Sequence, residues 1–351
     1  MPPSSPRMRG MEAAGWMLVI GITLVIVREG KDLFIPLVIA LIAVYLIKVL
    51  QRWFSSVKIG GWGLPSAATL VLAFLTVIGF SYLLFSIIAD NAMQVAENAA
   101  RYQSRLLKIQ ADIFLTFGTE QPPAIQEFLR DVNIPGVVAL VATNLAGVLK
   151  NTVLILVFAV FFLLETRFIP SKIEALFPAL DRRVRIEQMI RRIDMDIQTY
   201  FGVKTLVSLI TSILSYVVMR LVGLDFAAFW ALLVFIFNFI PTIGSIVATV
   251  LPGLLALVQF ENWTPVLVLV VGITVIQQVL GNFIEPNLMG MTLNLSPLVV
   301  VMSLILWGML WGIVGMFLCV PITVIIVIIL GNFPSTRWVA VLLSKEGKTR
   351  I

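Results

Sequence analysis

FAAFWALLVFIFNFIPTIGS, residues 226–245, is the stretch whose reading decides the fold. An uncharged apolar run over 226–240 ends in Asn238-Phe239-Ile240-Pro241-Thr242-Ile243-Gly244-Ser245, and a second run, 246–259, follows. Each half is about 15 residues, about 22 Å of helix, short of the roughly 30 Å hydrocarbon core of a bilayer. Paired short apolar segments around a Pro/Gly centre predict a discontinuous or re-entrant helix pair. Such a break is tolerated at membrane depth only where it is buried in protein or lines a wet cavity. The pattern recurs at 298–330, broken around Trp307-Gly308 and Trp311-Gly312-Ile313-Val314-Gly315.

The whole chain agrees with a membrane setting. Hydrophobic residues make up 60% of its 351 positions and charged ones 13%, against about 45–50% and about 25% in soluble domains. A soluble fold this apolar could not cover its surface. The expected class is an all-α polytopic membrane protein of about eight segments, two of them the broken pairs.

Walking outward from the broken pairs divides the chain into five parts. Residues 1–89 hold three spans, the first two, 13–27 and 33–50, read as a helical hairpin with a tight charged turn at 28–32. Residues 90–135 form an extracytoplasmic helical insert. Continuing from the third span into it, Ile88, Ala92, Val95, Ala99, Tyr102, Leu106, Ile109 and Ile113 step four and three, a heptad seam. That seam packs either on a short helix at 124–131 or on another protomer. Residues 136–165 are a fourth span, long enough to tilt or to begin at the interface. Residues 166–198 are a basic amphipathic connector, and 199–351 hold the C-terminal transport core with a basic tail. The insert is acidic whereas the connector and tail are basic, so the positive-inside bias places both termini in the cytoplasm.

Absences narrow the function. The sequence has no histidine and one cysteine, which excludes His-based relays, haem ligation, His-containing metal sites, intrachain disulfides and thiolate clusters. It has no G-x-x-x-x-G-K-[ST] phosphate loop, so no ATP motor is legible. No cofactor and no metal is expected. With no histidine and no aspartate in the C-terminal spans, an intramembrane enzyme is not expected either. The net charge of +6 is read as cytoplasmic loop charge rather than nucleic-acid binding.

Chemistry concentrates in the last third. Thr274, Gln278, Asn282 and Glu285 step four, four and three toward Pro286, one helix face ending in a carboxylate. Intramembrane polar groups must face protein or water; the alternative is a Glu285 solvated at the cytoplasmic interface. Asn238-Phe239-Ile240-Pro241, Asn282-Phe283-Ile284-Glu285-Pro286 and Asn332-Phe333-Pro334 are alike enough to raise a structural repeat.

Five motifs recur in a defined order: Asn238-Phe239-Ile240-Pro241-x-x-Gly244; Glu285-Pro286-x-Leu288-Met289-Gly290; Leu295-Ser296-Pro297-Leu298; Trp307-Gly308-x-x-Trp311-Gly312-x-x-Gly315-Met316; and Val320-Pro321-Ile322-Thr323. Across 202–343 this order and spacing resembles the autoinducer-2 exporter-like family of bacterial permeases. The Trp-Gly-x-x-Trp-Gly form with Ser335-Thr336-Arg337 resembles its quorum-signal-exporting branch, while Val327 departs from the basic residue that many relatives carry nearby. The resemblance implies a permease in the bacterial inner membrane that moves a small solute outward without its own ATPase. Relatives are described as autoinducer-2 exporters or as sodium/proton antiporters, and as homo-oligomers, pentamers in number.

The expected substrate path lies between the broken segments. Asn238, Pro241, Thr242, Gly244 and Ser245 bound it on one side; Gln278, Asn282, Glu285, Pro286, Trp307, Gly308 and Gly312 bound it on the other. Helix breaks free backbone N–H and C=O groups for a polar solute. Glu285 is expected as a gate or hydrogen-bond acceptor, and Pro241 and Gly244 as the residues holding the break open. Autoinducer-2, a small uncharged hydroxyl-rich furanose derivative, suits such a neutral polar lining.

Overall fold

The computed structural model describes residues 6–56, 58–59, 62–84, 86–87, 90–91, 104, 136, 151–289, 294–345 and 347. The heptad-seam residues, the 124–131 helix and the 137–150 half of the fourth span lie outside the described residues. The regular structure of the described residues is helical apart from an isolated bridge between Leu295 and Ser344 and one ladder of two-residue strands, β1 (Lys58–Ile59) and β2 (Trp62–Gly63), in which Lys58 pairs with Gly63 and Ile59 with Trp62.

In chain order the helices are α1 (Pro6–Glu29), α2 (Lys31–Ser56), α3 (Ser66–Leu84), α4 (Thr152–Glu165) and α5 (Ile169–Leu176). After these come α6 (Leu180–Val222), α7 (Ala227–Phe237), α8 (Ile243–Gln259), α9 (Trp263–Met289), α10 (Pro297–Asn332) and α11 (Arg337–Leu343). Among the described residues, six stretches are long and apolar enough to cross a membrane: α2, α3, α4 continuing into α5, α6, α9 and α10. Helices α7 and α8 are apolar but shorter. Their lengths, 11 and 17 residues, correspond to about 16 and 26 Å.

One expectation fails at the N-terminus. The chain does not fold back as a hairpin at 28–32; α1 and α2 meet only around Gly30 and do not pack along their lengths. Gly30 N–H donates to the Ile26 carbonyl and Phe34 N–H to the Gly30 carbonyl, both i→i−4 bonds that carry the helical winding through the charged turn. Helix α2 packs instead on α4, where fully buried Ala40 and Ala159 let the helices approach closely.

Helix α6 organises the rest. Its 43 residues span about 64 Å, from the basic connector to a left-handed Gly223 whose N–H returns to the Arg220 carbonyl. Lys48 of α2 pins the connector end through Asp194 at 3.3 Å. Farther along, Ile197, Phe201, Lys204, Ser208, Thr211, Ser215 and Met219 are buried at helical spacing, against α7, α9, α10 and α2. Apolar residues on the other side, among them Leu209, Ile213 and Leu221, are exposed, as a lipid-facing surface requires.

The two broken stretches are both tight helical hairpins. In the first, α7 ends with Phe239 and Ile240 N–H donating to the Ile236 and Phe237 carbonyls, a tightened last turn. Thr242, at φ 60, then reverses the chain into α8. A Cβ on Gly244 would sit 1.8 Å from the Phe237 carbonyl oxygen, so only glycine lets the arms cross. In the second, Gly312 at φ 63 and ψ −140 divides α10 into arms 297–311 and 313–332. Ser303 Oγ donates to the Cys319 carbonyl at 3.0 Å, although 16 positions of unbroken helix would separate them by about 24 Å. A Cβ on Gly315 would again lie 1.8 Å from a carbonyl oxygen, that of Trp307. The hairpins touch through Phe239 stacked on Phe317, centroids 4.7 Å apart.

The three Asn-Phe segments share no backbone form. Asn238 sits in the turn after α7, Asn282 inside a π-helix and Asn332 at the C-terminal end of α10. Their likeness is that each lies where regular winding stops, which short polar and proline-bearing sequences favour in any fold.

Candidate functional site

Helix α9 changes winding as it approaches the first hairpin. Gln278–Ile284 is π-helical, between α-helical Trp263–Gln277 and Glu285–Met289. A π-turn adds a residue to the winding and rotates every later side chain, and such segments recur at functional sites. Of the polar face predicted at 274, 278, 282 and 285, the last three members face the cavity described below. Thr274 is exposed and bonds its own helix at the Val270 carbonyl. Buried Gln277 turns inward instead and donates to the Ser245 carbonyl at 3.2 Å. Asn282 donates to the Gln278 side-chain oxygen.

Between this segment, the first hairpin turn and α6 lies a cavity of about 570 Å³, within the usual range of about 300–1,000 Å³ for small-molecule sites. Its polar wall comes from Asn238, Thr242 and Ser245 on the hairpin, from Gln277, Gln278, Asn282 and Glu285 on α9, and from Tyr200 and Lys204 on α6. Pro241 contributes the turn, and Leu295, Val300 and Val320 form an apolar side. Asn238 is buried and held by its Nδ2 donating to Ser208 Oγ at 3.0 Å, which orients its carbonyl oxygen.

Among the described residues, Lys204 and Glu285 are the only charged groups on this wall. Lys204 Nζ donates to Glu285 Oε1 at 2.6 Å, with side chains 10% and 15% accessible. Glu285 is therefore not a lone solvated carboxylate; it is half of a mostly buried ion pair that ties α9 to α6. Burying either charge alone in low dielectric would be far costlier than burying the pair. The Tyr200 hydroxyl, one helical turn before Lys204, is buried and has no hydrogen-bond partner among the described residues.

Seven of the twelve residues predicted to bound the path line this cavity: Asn238, Pro241, Thr242, Ser245, Gln278, Asn282 and Glu285. Gly244, Pro286, Trp307, Gly308 and Gly312 do not. Gly244 is buried where the hairpin arms cross, and Pro286 is exposed. Trp307, Gly308 and Gly312 gather near the tip of the second hairpin; its cavity-lining residues, Val300 and Val320, lie about 18 and 12 Å from Gly312 along the arms. The Trp311 indole donates to the Val27 carbonyl at 2.9 Å, tying that tip to α1. Sequence reasoning missed Lys204, Tyr200 and Gln277. Lys204 had a signal: it and Glu285 are two of five charges in 200–332 and opposite in sign.

A polytopic helical bundle with a polar cavity against a broken hairpin is the architecture of a membrane permease. The family model described as AI-2E family transporter matches residues 16–335, and the chain belongs to that family. It is similar to the AI-2 transport protein TqsA of Escherichia coli K12, 29% identical over 95% of this chain and 96% of that protein. It is also similar to a putative transport protein of Haemophilus influenzae, 28% identical over 90% and 91%. The putative transport protein YhhT of Escherichia coli K12 is 27% identical over 92% and 91%.

Proposed function

We propose that this protein is a permease exporting a small uncharged polar solute, an autoinducer-2-like quorum-sensing signal, through the cavity bounded by the first hairpin turn, the π-helical segment and Lys204. One observation carries the reading: within an apolar bundle the cavity wall is built of neutral amides and hydroxyls, and its two charges cancel in a 2.6 Å pair. Intramembrane polar groups mark solute pathways, and a wall without net charge favours neutral cargo over ions. The family membership and the likeness to an AI-2 transport protein support the same reading.

In this scheme the protein sits in a bacterial cytoplasmic membrane with both termini inside, and it works as a homo-oligomer, a pentamer by family analogy. Pro241 and Gly244 hold the first break, and the second hairpin closes the apolar side of the path.

Proteoliposomes preloaded with labelled autoinducer-2 or with sodium, assayed with and without a pH gradient, test the reading. Autoinducer-2 efflux without sodium flux is the expected result. Sodium flux driven by the gradient, with no autoinducer-2 efflux, would replace this proposal with an antiporter. Light scattering in detergent should give a multiple of the protomer mass. A cysteine replacing Arg185 should be labelled only from the cytoplasmic side.

A further inference from the structure

We infer that Lys204 is a built-in counter-ion: its ammonium holds the place at Glu285 that a monovalent metal cation such as sodium would otherwise take, and so sets the cavity for neutral solutes. This deepens the permease reading above and rests on it. Three observations converge. Lys204 Nζ lies 2.6 Å from Glu285 Oε1 with both side chains mostly buried, a direct contact rather than a water-bridged one. Both partners line a cavity of about 570 Å³, many times the roughly 30 Å³ share of one water, so an ion with part of its hydration shell has space beside the carboxylate. No other charge stands nearby in either helix. Glu285 is the sole charged residue of α9, and toward Gly223 the next charge on α6 after Lys204 is Arg220, about 24 Å along the helix. These two side chains alone therefore set the charge of the wall among the described residues.

Removing the ammonium leaves a lone carboxylate inside an apolar bundle. Such a group draws a counter-charge from solution, either a proton or a metal cation. The lining favours the cation. Hard cations take their ligands from carboxylate, carbonyl and water oxygens, and the cavity offers amide oxygens beside the carboxylate. Asn238 Nδ2 donates to Ser208 and Asn282 Nδ2 to Gln278, which leaves the amide oxygen of each with its lone pairs on the same cavity wall. A proton makes no use of those oxygens. With Lys204 in place the carboxylate is already neutralised, so a cation gains nothing by entering and an anion meets Glu285.

The test reads the Tm of the purified full chain in detergent as sodium chloride rises from about 10 to about 300 mM, with N-methylglucamine chloride holding ionic strength constant so that screening does not change. A parallel series uses potassium chloride. The parent should be indifferent to both. Lys204→Ala vacates the place of the ammonium and should rise by about 3 °C or more with sodium, as expected where the ion binds with a Kd on the order of 10 mM. The double variant Lys204→Ala/Glu285→Gln, neutral again, should lose the response. Glu285→Gln alone leaves the ammonium, so its Tm should follow chloride against gluconate instead. A Lys204→Ala variant blind to both cations, the mark of a proton taken up in their place, would overturn the inference. So would an equal sodium response in the parent or in the double variant. Should Lys204→Ala fail to fold in every salt, the anion response of Glu285→Gln decides, and indifference there overturns the inference as well. None of these readouts involves cargo. Absent autoinducer-2 efflux with an intact sodium response breaks only the cargo assignment, and parental efflux with a sodium-blind Lys204→Ala breaks only this inference.

Discussion

The two hairpins solve one geometric problem with different chemistry. Each crosses its arms at a glycine whose absent Cβ leaves room for a carbonyl, Phe237 against Gly244 and Trp307 against Gly315. At the first, the turn is polar, Asn238 and Thr242 face a cavity, and a β-branched residue holds a positive φ that glycine normally takes. At the second, glycine itself takes the positive φ at 312, and the nearby polar groups are spent within the protein: Ser303 and Thr323 on each other and on the Cys319 carbonyl, Trp311 on Val27. Strain and spare hydrogen-bonding capacity collect where a ligand can use them, and the partner hairpin is relaxed and internally satisfied. The same crossing geometry therefore serves one hairpin as part of a site and the other as support.

The largest effects should come from the feature the hairpins share. Gly244→Ala and Gly315→Ala each drive a Cβ into backbone at 1.8 Å, and both should lose most monodisperse protein on size-exclusion chromatography. Normal assembly of either variant would break the equivalence of the crossings.

Next comes the charge that only the first hairpin's cavity holds. Lys204→Met alone leaves a buried carboxylate unpaired and should destabilise by about 3–5 kcal/mol. The double variant Lys204→Met/Glu285→Gln should recover most of that Tm while still failing to transport. A single variant as stable as the double would mean the pair is hydrated rather than buried.

Exchanging the turn residues probes strain. Thr242→Gly should raise stability and Gly312→Thr should lower it, by about 1–3 kcal/mol each, the usual magnitude for a non-glycine residue held at positive φ. Should Thr242→Gly melt lower than the parent, the threonine side chain contributes more than its backbone costs.

The smallest stability effects separate site from support most sharply. Ser303→Ala and Asn238→Ala each remove a buried hydrogen bond worth about 1 kcal/mol. Both should fall slightly in Tm, yet only Asn238→Ala should reduce efflux per folded molecule. Equal efflux in the two variants would place the path elsewhere.

Membrane class, the two interruptions and their glycine and proline residues were legible in the sequence because they are local properties: hydropathy summed over a window, a missing N–H, a missing Cβ. Most of the hairpin-side cavity residues were legible for the same reason, since a break exposes its own backbone and neighbours. The 28–32 turn misled because charge and a glycine suggest a reversal, whereas Gly30 can continue i→i−4 bonding and does. Of the stripe at 274–285, Gln278, Asn282 and Glu285 line the cavity and Thr274 does not, while Gln277, just ahead of the π-helical segment, joins them through a contact that hydrophobic spacing does not reveal.

What only the tertiary structure decided is pairing across distance. Lys204 and Glu285 stand 81 positions apart, and no periodicity within α6 or α9 relates them. Their meeting depends on the rotation of α9 after its π-turn and on how α6 packs against it. The sequence by itself determined that Glu285 ends a polar helix face that must meet protein or water. Which residue answers that need was set by the packing of helices, where small differences in rotation bring one face rather than another into contact.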